Sequence, residues 1–395
     1  MKKNKEKKKF FTRESLKNFK SIKERRDYLE KKLGLNFKAV ANFYPDEKIA
    51  SEKNCENMIG STQLPLGVAG PLKIKGEFVK GNFFLPLATT EGALVASVNR
   101  GCKAIFFSGG VKARVRRIGA TRGPVFYTHS LGKKIRLENW LKKNQVKIKE
   151  LAERTDPYLK FERLETDGPA DYLFLRFYFN TNDAMGMNMA TIASQEIVRF
   201  IEKKTKIKCL SLTGNLDADK KPAWMNFIKK RGFEAWAEIS LSEKIIKSIL
   251  KTNSAKLFDV WLAKSMIGSA LSGSLSFNAH FANIIAALFI ATGQDPGHIA
   301  EGSMGITTMK KNKKLYFSVY LPDLMIGTVG GGTGLSCQKE ALKLLKVEGG
   351  KKGKNSLSLA EIIGGAVLAG ELSLLASLAE NSLAKAHLKL ARGII

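Results

Sequence analysis

The sequence predicts an α+β fold in which a small α+β lobe is inserted into a larger, helix-rich body. Three observations carry this. Strand-like runs at Val125–Thr128, Tyr172–Tyr178 and Ile207–Leu212 accompany a helical run, Met189–Lys203, between the last two. Later helical runs, Lys264–Leu275 and Ala279–Ile290, hold so much Ala, Ser and Gly that they read as closely packed core helices. A chain of 395 residues also exceeds one simple core, so two or three lobes are expected.

Taken in order, residues 1–40 read as a basic helical region, with the run Ser21–Leu33 stopped by Gly34. A loop-rich stretch follows, marked by Pro45, Gly60, Pro65, Gly67, Gly70 and Pro71. A long helix is predicted from Thr89 or Thr90, either of which is a suitable cap for the small apolar run Ala93–Ser97. The inserted lobe is placed at residues 124–211, and the larger domain at 41–123 and 212–395. The basic segment Gly349–Lys354 reads as a solvated loop.

Hydrophobic residues make up 44% and charged residues 26%, which excludes a wholly disordered chain. The net charge of +30 attracts anions of many kinds, from phosphorylated cofactors to nucleic acid, without choosing among them. The first 34 residues hold 14 Lys or Arg against 5 Asp or Glu, and the remainder is basic as well. Cys55, Cys102, Cys209 and Cys337 lie far apart, so neither a disulfide framework nor a zinc site is indicated, and a reducing cytoplasm fits. Of two apolar runs, Phe281–Thr292 is too short to span a membrane. Ile362–Ala379 carries Glu371 and many small residues and reads as a buried helix. A soluble protein is expected.

Several segments carry chemistry, each with a plainer reading beside it. Glu91 stands at the head of an apolar helix, where the helix dipole alone favours it; it also suits a general acid in a partly desolvated site. Lys220 and Lys221 precede Pro222, read as the first residue of a helix continuing through Ile228. Two lysines there oppose the dipole unless an anion sits beside them, although solvated surface lysines are common. Gly327–Thr333 is a glycine-rich loop after a strand-like run, open to phosphate approach but equally to a plain turn. Asp183 opens a helical run and caps it or serves a ligand. Asp295 is a turn residue by type, and His387 is a late histidine on a helical run.

Together the strings Glu56–Gly60, Leu66–Leu72, Ala88–Gly92, Asn99–Cys102, Asp183–Asn188, Asp219–Pro222, Asn278–His280, Gly293–Asp295 and Gly327–Thr333 occur in an order that resembles the 3-hydroxy-3-methylglutaryl-coenzyme A reductase family, from about residue 40 to 392. The form Asp-Ala-Met-Gly-Met-Asn is similar to its biosynthetic class. The resemblance implies a large domain built around a long central helix, a ferredoxin-like insert that binds NADPH, and a homo-oligomer with its active site at the subunit interface. It implies four-electron reduction of the thioester to mevalonate and coenzyme A.

It also implies roles. Glu91 shuttles a proton to the substrate oxygen. Lys220 holds the developing oxyanion, Asp295 links those two, and His387 protonates the departing thiolate. Arg122, Thr213, Asn215, Lys221 and Lys264 match positions around the substrate carboxylate; Asn99, Arg100, His280 and Asn283 match the coenzyme A side. Asp183, Met185, Gly186, Met187 and Asn188, with Gly330, Gly331 and Gly332, match the nicotinamide site, and Lys160 falls near the expected 2′-phosphate. These types suit the chemistry. A charged oxygen forms twice and needs a fixed cation, each reduction needs a proton, and a thiolate needs its own acid.

The sequence departs from the family in three places. Leu275–Asn278 replaces a glycine pair and is one residue shorter, Gly393 replaces the serine that animal enzymes carry after the histidine, and their membrane anchor is missing. Two alternatives stand: the degradative NAD-dependent oxidation of mevalonate, and a basic nucleic-acid-binding protein, for which no motif is visible. No metal site and no membrane partner are expected.

Overall fold

The structure is a computed structural model that describes residues 19–33, 41 and 47–380. The chain forms two compact units, Met1–Leu64 and Pro65–Ile395. In the first, helix α1 (Ile22–Leu33) is capped by Ser21, whose Oγ accepts the Glu24 N–H. Arg26 donates to the Ile59 carbonyl, and a short helix α2 spans Glu47–Lys53.

The second unit is built on one ten-stranded sheet. Its main path runs β7 (Cys209–Ser211), β4 (Val125–Tyr127), β6 (Tyr172–Asn180), β3 (Val111–Arg122), β8 (Arg231–Leu241), β10 (Leu315–Leu324), β9 (Ile306–Lys311). The hairpin β1 (Leu66–Lys75) and β2 (Lys80–Ala88) joins it through a short parallel pairing of β1 with β3. β5 (Lys160–Asp167) lies on the free side of β6. The stretch from β4 to β7 is therefore β-α-β-β-α-β with spatial order β7-β4-β6-β5, a ferredoxin-like arrangement. Its helices are α4 (Leu131–Lys143), α5 (Gln145–Glu153) and α6 (Met187–Thr205). These elements enclose an apolar core of their own, with Phe126, Phe177, Phe179, Ile197 and Ile201.

The larger core surrounds α11 (Lys354–Ala379), which is apolar on every side and buried along most of its length. By length and composition this helix could cross a membrane, yet 83% of its apolar window is buried inside the protein. It packs on the sheet, on α3 (Leu94–Phe107) and on α9 (Phe281–Thr292). Glycines allow the approach: a Cβ on Gly101 of α3 would lie 1.9 Å from the Ala369 carbonyl oxygen. Further helices are α7 (Trp224–Ile228), α8 (Ser254–Trp261), which continues as a π-helical stretch over Leu262–Gly268, and α10 (Ser336–Leu344), beside several shorter helical segments.

Three buried carboxylates hold loops against α11. Glu361 accepts the backbone N–H groups of Glu77, Phe78 and Val79. Glu371 accepts those of Ala279 and His280, just ahead of α9, and the Thr307 hydroxyl. Asp183 accepts the N–H groups of Lys351, Gly353 and Ser356. Asp183 therefore caps α11, distant in sequence, and not the helix it immediately precedes. That helix, α6, starts from Gly186 in the left-handed region. The segment 349–354 has exposed lysine side chains, but its backbone is anchored on Asp183 and so is more than a solvated loop.

Two predicted helix starts move. α3 begins at Leu94 after Ala93 at φ 78, with no side-chain cap; Thr89 instead accepts the Glu91 N–H. α7 begins at Trp224 and has only five residues, because Ala223 is extended and Lys220 takes φ 54. Lys220 and Lys221 therefore do not sit at a helix N-terminus, and the dipole argument for an anion there does not apply.

Candidate active site

The segment from Asn215 to Lys220 holds three non-glycine residues at positive φ: Asn215, Ala218 and Lys220. Such backbone is costly and needs support from its surroundings. Asn226 supplies part of it, donating to the carbonyls of Ala218 and Lys221. Glu301 accepts the Lys220 N–H at 3.2 Å. The result projects Lys220 Nζ to 2.7 Å from Asp295 Oδ2. Gly297 makes room for that side chain, since a Cβ there would meet Lys220 Cδ at 2.8 Å. Burial pushes the Asp295 carboxyl up, but the Lys220 hydrogen bond, the Gly297 N–H and the His298 and Lys220 charges together hold it below the usual range.

Beneath this pair lies a buried charge network that sequence reasoning missed. Arg231, at the start of β8, is fully buried. It donates to Glu301 at 2.7 Å, Asp219 at 2.9 Å and the Thr121 hydroxyl at 2.9 Å. Burial alone would weaken its hold on a proton; the carboxylates of Asp323, Asp219 and Glu301 more than reverse this. His298 Nδ1 lies 2.5 Å from Glu301 Oε1. Burial drives the Asp323 carboxyl well above its ordinary range, against the pull of Arg231. The sequence carried little signal for it, because Arg231 follows Lys229 and Lys230 and opens a strand that also holds Glu234 and Glu238.

Arg122 joins the same network. It lies 3.5 Å from Asp219 and 3.6 Å from Asp217, and donates to Thr191 on α6 at 2.8 Å. Thr213 points its hydroxyl at Asp217, and Lys221 is exposed with Nζ on the Asp219 carbonyl. Asn215 forms part of the strained turn. Arg122, Thr213, Asn215 and Lys221 thus belong to the Asn215–Lys221 turn or contact its Asp217 and Asp219, whereas Lys264 lies on the π-helical stretch and lines another cleft.

The two segments matched to the nicotinamide cofactor are brought together. Ala184 and Val329 form a parallel bridge, and Thr328 N–H donates to the Asp183 carbonyl at 2.7 Å. Gly327 allows this, since a Cβ on it would lie 2.4 Å from Met185 N. Gly186 is equally constrained, because a Cβ would strike Thr181 at 2.3 Å. Gly330 and Gly331 have open space where side chains would stand, while Gly332 abuts Gly293. Such bare backbone beside the exposed Asn188 and half-buried Met185 fits close approach of a phosphorylated cofactor. Met187 is instead buried, its Sδ accepting from Arg231, and both Asp183 oxygens are committed to α11. Lys160 opens β5 and pairs with Glu153 at 3.5 Å.

A separate cleft of about 520 Å³ is lined by Lys264, Ser272, Ser276, Asn278 and His280. His280 Nε2 bonds the Gly370 carbonyl, and Asn283 contacts Nδ1 at 3.4 Å. Asn99 accepts the Gly70 N–H. Arg100 turns its guanidinium inward onto Ser373 and Ser377 of α11, so it braces α3 and does not project outward.

Glu91 is exposed at the turn before α3, and its carboxylate has no hydrogen bond or ion pair among the described residues. Among the described residues nothing supplies the partly desolvated setting expected for it. His387 and Gly393 lie outside the described residues.

The family model described as hydroxymethylglutaryl-coenzyme A reductase matches residues 21–392, further toward the N-terminus than the motifs reach. The 3-hydroxy-3-methylglutaryl-coenzyme A reductase of Methanocaldococcus jannaschii is 50% identical over 375 residues, covering 93% of this chain and 92% of that protein. The protein of that name from Aeropyrum pernix is 48% identical over 377 residues, 93% and 89% of the two chains. A solved class II reductase from Streptococcus pneumoniae, bound to NADPH in open conformations, superposes with TM-score 0.70 over 92% of this chain and 98% of that one, at 18% identity. That likeness speaks for the fold, and the sequence matches speak for descent: the chain belongs to the hydroxymethylglutaryl-coenzyme A reductase family.

Proposed function

We propose that this protein reduces 3-hydroxy-3-methylglutaryl-coenzyme A to mevalonate and coenzyme A with two NADPH. The observation that carries the reading is the Lys220–Asp295 pair, 2.7 Å apart, seated on a buried ionic network. An ammonium fixed this way stabilises the oxygen that becomes charged in each reduction, and does so with little reorganisation. Asp295 holds the ammonium in place.

Glu91 supplies a proton to the substrate oxygen, and His387 protonates the leaving thiolate. Arg122, Thr213, Asn215 and Lys221 hold the substrate carboxylate. His280, Asn283, Asn99 and Lys264 surround the coenzyme A end. The loops at Ala184–Asn188 and Gly330–Gly332 hold the cofactor, with Lys160 toward its 2′-phosphate. When bound, NADPH supplies the hydride; the protein aims it. Residues 124–211 serve as the cofactor-binding domain.

A homo-oligomer with a shared active site fits the unpartnered, exposed Glu91. It also fits the exposed apolar side chains Ile267 on the α8 continuation and Leu271 just beyond it, 51% and 85% accessible in the single chain. A cytoplasmic setting is supported by four free cysteines.

The test is loss of nicotinamide absorbance on mixing purified protein, thioester and NADPH, with NADH as comparison. Lys220→Ala is expected to lower kcat by at least about a hundredfold while preserving the folded far-ultraviolet spectrum, because the side chain is half-exposed. Retained turnover in that variant removes the oxyanion role, and a preference for NADH with mevalonate as the better substrate favours the degradative reading.

A further inference from the structure

Behind the Lys220–Asp295 pair lies a buried imidazole that no step above uses. His298 is fully enclosed. Its Nδ1 is 2.5 Å from Glu301 Oε1, an oxygen that also accepts from Arg231 and from the Lys220 backbone. With Glu301 ionised against Arg231, its oxygen is an acceptor, so the hydrogen of that contact sits on Nδ1. On the other side, Nε2 lies 3.7 Å from Asp295 Oδ2, the oxygen that grips Lys220. Nε2 has no hydrogen-bond partner among the described residues. A buried nitrogen lone pair aimed at a carboxylate is unfavourable, whereas an N–H there faces a charged group across 3.7 Å, an electrostatic contact longer than a hydrogen bond. Asp219, 3.8 Å from Nδ1, adds negative charge on the near side.

We propose that His298 is a positioning residue for the reduction. Its Nε2–H braces the Asp295 carboxylate from behind and thereby fixes the Lys220 ammonium at the substrate oxygen. The inference rests on the reductase reading above. Lysine has a flexible four-carbon stem and is poorly placed without such bracing. The Glu301–Arg231 contact holds the ring from its other edge, so the imidazole keeps its orientation. Asp219, His298 and Glu301 also offer ligand atoms within 4.8 Å of one another, a spacing compatible with a metal. Arg231 already donates to both carboxylates, so a cation is present there in covalent form.

Two substitutions separate the ring's two edges. The amide nitrogen of Gln reaches the Nε2 position, and that of Asn reaches the Nδ1 position. In the full chain, His298→Asn is expected to lower kcat roughly 10- to 100-fold with KM for the thioester within about twofold, while His298→Gln keeps kcat within about threefold. Reductive methylation of Lys220, followed by peptide mass spectrometry, gives a readout independent of turnover. Without the N–H that faces it from behind, the Asp295 carboxylate draws more strongly on the lysine ammonium, so labelling slows in His298→Asn and not in His298→Gln. Equal loss of kcat in both variants, or an effect on KM alone, overturns the proposal. If the wild type shows no turnover, the reductase reading fails and labelling decides: equal rates in all three proteins overturn the bracing role.

Discussion

The ionisable residues near Lys220 divide by burial into two kinds. Lys220 and Asp295 stand at the rim, and their pairing sets geometry more than stability. Arg231, Glu301, His298 and Asp323 are fully buried, and there each charge needs its partner. Arg231→Met should therefore cost about 3–5 kcal/mol in chemical denaturation, because Glu301 and Asp219 lose their shared cation. Asp323 behaves in the opposite way. Its folded pKa is raised by burial, so it favours the folded state at low pH and weakens it progressively as pH rises above about 4, the unfolded value. Asp323→Asn should raise the urea midpoint at pH about 8 and change it little near pH about 4. A midpoint difference that does not vary with pH would show that Asp323 is not under this strain.

At the scale of elements, α11 organises the fold through carboxylates as well as apolar packing. An all-round apolar helix supplies no specific angle to its neighbours. Asp183, Glu361 and Glu371 add direction by satisfying backbone N–H groups of three separate loops. Glu361 is not among the residues assigned to chemistry and bonds only the loop at Glu77–Val79, so it isolates this structural effect. Glu361→Ala leaves three N–H groups without their acceptor and should lower stability by about 2–4 kcal/mol, with kcat and KM unchanged in the folded protein. A midpoint equal to wild type would mean that water replaces the carboxylate at no cost. The loop pair at Ala184–Val329 shows the same logic, with Gly327 permitting backbone contact that any side chain would block.

For the whole molecule, the +30 charge is the dominant long-range term. Self-repulsion of that size opposes compaction and is screened by salt. The midpoint of thermal unfolding should rise by about 2–4 °C between about 0.05 M and about 0.5 M sodium chloride, equivalent to about 2–3 kcal/mol for a chain of this length. A flat or falling midpoint would indicate that local ion pairs outweigh the net field.

How much was legible in the sequence follows from the range of the interactions concerned. Periodicity and turn residues are local, and from them came β4, β6 and β7 but not β5, helix α6, the strand before the glycine loop and the buried character of α11. Motif order was enough to indicate the family, because descent is written in residue identity. Lys220 and Asp295 were both named from motifs, and the structure brings them into contact. The start of α3, the short α7, the commitment of Arg100 to α11 and the capping of α11 by Asp183 were decided only in three dimensions. So was the network of Arg231, His298, Glu301 and Asp323, whose members lie up to 92 positions apart in the chain (231 to 323). A hydrogen bond or ion pair between distant segments leaves no periodicity behind. It exists only where folding has removed the water that would otherwise satisfy both partners.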